Sequence, residues 1–157
     1  MSYDYSKGTK FIAYDTAMGN VSKTRQVVML YDGIISFIQR AKEALIKKNF
    51  QDNYNFIDRA TKIITGLHSS LDKENGGDVA KALDSFYIDL HMKLINLVQN
   101  KNEADYDKIA EEVKSMRAAW DTVDAETTAK KIDNLEANLA NNNSESPAPP
   151  SGISVSV

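Results

Sequence analysis

The stretch VVMLYDGIISFI, residues 27–38, is apolar or aromatic at every position except Asp32, Gly33 and Ser36. At ~100° per residue, Val27, Leu30, Tyr31, Ile34, Ile38 and Ala41 share one face of a helix, the width that a surface helix buries. Val28, Ile35 and, to one side, Met29 and Phe37 fall outside that face. The stretch therefore predicts a helix covered on more than one side. A wide core between two neighbouring helices is one account. A hydrophobic groove filled by a partner segment is the other. Gly33 costs a helix interior about 1 kcal/mol relative to Ala. Close packing against another helix of the same domain is the simpler compensation, and approach of a bound peptide backbone the alternative.

Working outward, Ser22 is a suitable N-cap and the first helix runs to about residue 49. Asp52 or Asn53 is expected to cap a second helix carrying Tyr54, Ile57, Ala60, Ile64, Leu67 and Leu71. KENGGD, residues 73–78, breaks that pattern, with Asp78 as the next expected cap. A third helix carries Val79, Leu83, Phe86, Tyr87, Leu90, Leu94 and Val98; a fourth carries Tyr106, Ile109, Val113, Met116, Trp120 and Val123. A weaker pattern follows at Ala129, Ile132, Leu135 and Leu139. No segment alternates with period 2, so no sheet is expected.

Short connections favour antiparallel neighbours. The expected fold is all-α, an antiparallel four-helix bundle over residues 23–123 with an additional C-terminal helix at 124–140. An Asn/Ser/Pro-rich tail at 141–157 is expected to be disordered, and residues 1–22 to form a flexible N-terminal segment.

The 157 residues fit one domain with a formal net charge of −3, which selects no polyanion and predicts no nucleic-acid partner. The absence of cysteine removes disulfides, thiol catalysis and thiolate metal sites. No apolar run reaches ~18 residues and the N-terminus lacks an apolar signal core, so a cytoplasmic protein without membrane insertion is expected. Thr65 and Ile88 stand three residues before His68 and His91, where a di-iron bundle would carry Glu. No His-Glu-x-x-His or phosphate-loop pattern is present. Each His reads as a partly buried or solvated residue at a helix edge. No enzyme, cofactor or metal is expected, and function should lie on an apolar surface.

The third helix strengthens that expectation. Leu83, Phe86, Tyr87, Ile88, Leu90, Met92, Leu94, Ile95, Leu97 and Val98 exceed one stripe, and large exposed apolar patches mark interaction sites. Phe11, Ile12 and Tyr14 precede the first helix on a tether able to cover such a patch.

Four stretches together resemble the flagellar export chaperone family FliS: FIAYDTA at 11–17, MLYDGIISFIQRAKEAL at 29–45, SSLDKENGGDVAKALDSFY at 69–87 and EEVKSMRAAWDTV at 111–123. The lead into the first helix, NVSKTRQV, lacks the family's proline and acidic pair, and FYIDLHMKL lacks its double arginine. The resemblance implies an antiparallel bundle without cofactor. It implies binding of the C-terminal, otherwise disordered segment of flagellin in apolar grooves, with premature polymerisation prevented. It also implies an N-terminal segment over the groove, with the export apparatus or another flagellar assembly factor as further partners. Tyr14, which aligns with the family's N-terminal tyrosine, is expected in or near the groove, together with Val28, Tyr31, Ile35, Leu83, Tyr87, Leu90 and Leu94. The alternative is a self-associating helical bundle, structural or adaptor in role, without a flagellin client.

Overall fold

A computed structural model describes residues 21–144, which hold four α-helices and no strand: α1 (Lys23–Ile46), α2 (Phe50–Ser69), α3 (Gly77–Asn100) and α4 (Glu103–Ser144). Ser22 caps α1 as its sequence suggests, its hydroxyl accepting from the Arg25 amide at 3.0 Å. Lys48, at φ 58°, turns the chain after α1. Asn49 then caps α2 by accepting from the Asp52 amide. Asp52 thus lies in the first turn. Asn53 is buried, its amide donating to the Ala41 carbonyl and the Tyr106 hydroxyl, both at 2.8 Å.

Glycine has a specific task before α3. A Cβ on Gly76 would sit 2.5 Å from both the Asp72 carbonyl oxygen and the Ala80 Cβ, and Gly77 adopts φ +58°. Gly76, not Asp78, occupies the N-cap position, and Asp78 lies in the first turn. Gly33 marks close approach of α1 to α2: a Cβ there would lie 3.1 Å from Ile63 Cδ1.

Between α1 and α2, Phe37 stacks on Phe56 while Ala41 meets Asn53, and Lys93 of α3 pairs with Glu112 of α4. Along α1 and α4 the pairs are Ser22–Asp124, Arg25–Asp121, Asp32–Arg117 and Lys42–Asp107. α1 is therefore the central helix, covered by α2 on one side and α4 on the other. That accounts for the breadth of its apolar surface: Val28, Tyr31, Ile34, Ile35, Ile38 and Ala41 are all buried.

The expected separate helix at 124–140 is a correction. Those residues continue α4 without a break, making a 42-residue rod about 63 Å long at ~1.5 Å per residue. Residues 103–144 contain neither Gly nor Pro, and Ala, Lys, Glu and Leu sustain a helix where tertiary cover ends. Residues 141–144, expected in the tail, belong to the same helix. Tyr14 and the expected N-terminal cover lie outside the described residues. No helix among the described residues is long and apolar enough to cross a membrane.

Candidate partner-binding site

Seven of the eight expected groove residues fall within the described chain, and all seven are buried. Val28, Tyr31, Ile35, Tyr87, Leu90 and Leu94 pack in the interior; Leu83 is buried too but forms part of a surface recess wall. Tyr31 and Tyr87 meet hydroxyl to hydroxyl at 2.8 Å. Burial, reinforced by the Tyr87 hydroxyl, pushes the Tyr31 phenol far above its ordinary range, and burial raises Tyr87 as well. Both remain neutral near pH 7, and the pair works as a shared polar contact inside an apolar core. The sequence pattern located the interior correctly but assigned part of it to a surface.

The surface lies one layer out. α3 shares few contacts with α4, and a recess of about 250 Å³ opens between them. Val79, Leu83, Met116, Ala119, Trp120 and Val123 line it, with no polar wall. Val79 is 69% exposed and Val123 44% exposed. Tyr31 stands behind this wall, in the core cluster against which Trp120 packs. Toward the other end of the seam the lining turns polar: Lys93, Asn96, Asn100, Asp105, Lys108 and Glu112 surround a recess of about 210 Å³. Lys93 bridges it to Asp89 and Glu112, both at 2.7 Å, and these carboxylates raise its ammonium above the ordinary range.

A second apolar stripe, Ile88, Met92 and Ile95, runs along the exposed side of α3. Ile88 lies two positions before Leu90, and Met92 two positions before Leu94, each ~200° around the helix from its buried neighbour. α3 therefore presents apolar side chains on opposite sides, one toward the recess and one toward solvent.

The histidines are edge residues with structural partners or partial burial. His68 Nε2 lies 2.6 Å from Asp84 Oδ1, with Lys73 on the same carboxylate at 2.9 Å. These bonds, His68 first, hold the Asp84 carboxyl below the usual range. His91 is half-buried. Among the described residues no group of three or more His, Cys, Asp or Glu is placed to hold a metal ion.

The model for the family described as flagellar protein FliS matches residues 10–127. The chain belongs to the FliS family. It is 30% identical over 118 residues to the flagellar secretion chaperone FliS of Vibrio cholerae, an alignment covering 74% of this chain and 86% of the relative. It is 31% identical over 110 residues to the flagellar secretion chaperone FliS of Campylobacter jejuni, covering 69% and 85%. The flagellar secretion chaperone FliSB of Pseudomonas aeruginosa is 21% identical over 112 residues, covering 71% and 89%. The family match takes in the recess and ends at residue 127, so most of the projecting end of α4 lies beyond it.

The recess was harder to find in the sequence than the core. Met116, Trp120 and Val123 continue the periodic pattern of the fourth helix and read there as one stripe. A finer signal was present: Ile109, Met116 and Val123 recur every seven residues, ~40° or more from the line through Tyr106, Ala110 and Val113. α4 therefore has two apolar edges, one for α1 and one for α3.

Proposed function

We propose that this protein is a cytoplasmic flagellar secretion chaperone, an antiparallel helical bundle that binds the C-terminal segment of flagellin and keeps it from polymerising before export. The observation that carries the reading is the wholly apolar recess between α3 and α4. An amphipathic helix laid into the seam buries its apolar face against Val79, Leu83, Met116, Trp120 and Val123. Its polar edge then faces the Lys93–Glu112 end. A continuation of the same client crosses α3 and covers Ile88, Met92 and Ile95, so that one helix is held from both sides. While bound, the client's apolar face has no free surface for a second flagellin, and capture follows mass action.

The buried residues act from beneath. Tyr31, Ile35, Tyr87, Leu90 and Leu94 belong with Leu83 to the core cluster against which Trp120 packs, and Val28 is buried as well. In this reading Tyr14 belongs to a cover that the client displaces. The protein needs no cofactor, and export-apparatus components or other assembly factors meet it through the loaded complex.

The test is calorimetric titration of the full chain with the C-terminal segment of flagellin from the same organism. One-to-one binding with a negative heat-capacity change supports filling of an apolar groove. A stable chain that gives no heat and does not delay flagellin polymerisation overturns the reading.

A further inference from the structure

The start of α1 is tied to α4 at Asp124, whose Oδ1 accepts from the Ser22 and Thr24 hydroxyls, both at 2.6 Å. α4 continues for 20 residues past that point, about 30 Å at ~1.5 Å per residue. This projection carries Ile132, Leu135 and Leu139, which are 50%, 60% and 62% exposed. Their position around the helix is set by the rest of the molecule. Leu135 follows Arg117 by 18 residues and Leu139 follows Asp121 by 18, a separation of five whole turns. Arg117 and Asp121 are the residues that pair with Asp32 and Arg25 of α1. The stripe therefore continues the α1-facing side of α4 beyond the place where α1 stops.

We propose that this projection is a self-association surface, and that its occupant is the same projection of a second copy, running antiparallel in the line that α1 vacates. Apolar Ala125, Ile132, Leu135 and Leu139, with polar Thr128 between the first two, follow alternating steps of three and four, the spacing of a two-helix seam. A parallel partner would carry its own body into the space held by α1. An antiparallel partner puts the two bodies at opposite ends, and the same patch meets itself about a twofold axis.

Charge fixes the register. With Ile132 opposite Leu135 of the second copy, and Thr128 opposite Leu139, the flanking pairs are Ala129 with Glu136 and Lys131 with Asn138. A shift by one heptad in one direction sets Lys131 against Lys131. The opposite shift sets Glu136 against Glu136. Like charges at those flanking positions oppose both alternatives. The seam is short, burying on the order of 900 Å² in total, below the ~1,200 Å² at which stable specific interfaces begin and in the range of weak, transient ones. A reversible, concentration-dependent dimer is what such an area supports. It is independent of the α3–α4 recess, so each copy keeps its groove.

Sedimentation of the full chain from about 10 µM to 1 mM tests this. The expected result is a monomer–dimer equilibrium that Leu135→Asp weakens at least tenfold and Asn138→Lys weakens severalfold, with unchanged far-ultraviolet circular dichroism. Orientation is read by cross-linking, since the chain has no cysteine of its own. An equimolar mixture of Ile132→Cys and Leu135→Cys chains should oxidise to mixed disulfide dimers faster than either variant alone. Three results overturn the proposal. One is a monomer across the whole range, including the case in which residues 1–20 of the same chain cover the stripe. Another is a dimer indifferent to Leu135→Asp. The third is faster cross-linking of each variant with itself, which means a parallel pair.

Discussion

α4 is shared by two seams that are built differently. Against α1 it is joined between residues 107 and 124 by paired charges and hydroxyls, from Lys42–Asp107 through Asp32–Arg117 to Ser22–Asp124. Tyr106 and Val113 are fully buried in the core that this seam covers. Against α3 it has the Lys93–Glu112 bridge near the polar end and an open apolar recess at the other. The pairs along the first seam are partly exposed, and solvent screening leaves such pairs little net contribution to stability. Their value is positional: they hold the helices in one register while the apolar layer beneath supplies stability. The second seam lacks such bracing around Trp120, and apolar side chains are left for something else to cover.

Four substitutions probe that contrast, the largest expected effect first. Ile38→Ala removes a fully buried side chain of α1 and should cost about 2–5 kcal/mol in urea unfolding, with client affinity of the remaining folded chain little changed. Val79→Asp sets a charge on the rim of the recess. It should lower client affinity by roughly a hundredfold in calorimetry while stability moves by less than ~0.5 kcal/mol. Equal effects on both quantities would merge the two seams into one structural core. Asn53→Ala leaves the Ala41 carbonyl and the Tyr106 hydroxyl without their buried donor, at a cost of ~1–3 kcal/mol, again without loss of binding. Gly33→Ala presses a methyl toward the movable end of Ile63. The gain in helix propensity should outweigh that contact and stabilise the protein by ~0.5 kcal/mol.

Acid gives a further test. Asp84 is held below its usual range by His68 and then Lys73, and Asp124 by the Ser22 and Thr24 hydroxyls. A carboxyl depressed in the folded state stabilises the fold above its unfolded pKa of ~4, and that contribution is lost as pH falls through the lower folded value. Urea midpoints should therefore drop between about pH 4 and pH 2. Asp84→Asn should lower the midpoint at pH 7 and flatten the drop. An unchanged acid slope would leave the α2–α3 junction without the electrostatic role assigned to it.

The same contrast explains how much was legible in the sequence. Helix period, the Ser22 cap and the glycine turn are local signals, and each appears in the structure near its expected place. The breadth of VVMLYDGIISFI was read correctly as double coverage, but both covers are helices of this chain: α2 and α4 bury it. Periodicity reports that a side chain is apolar; it does not report which neighbour reaches it. Tyr31, Leu90 and Leu94 therefore read as groove residues, while Val79 and Trp120 read as ordinary stripe. Asn53 was hidden for a related reason. A polar residue at a helix start looks like a cap, and its burial depends on Tyr106, 53 positions away. The weak pattern after residue 123 read as a new helix because its stripe shifts phase, although no residue there interrupts α4.

Trp120 is the chain's single tryptophan, and it stands in the recess wall. Its emission, followed while a tryptophan-free C-terminal flagellin segment is titrated into the full chain, reports on this groove. The account predicts a blue shift that saturates at one equivalent, tracks the calorimetric isotherm and is lost in Val79→Asp. Binding seen by calorimetry with Trp120 emission unmoved would mean that the client docks elsewhere and that the open seam between α3 and α4 is not the site.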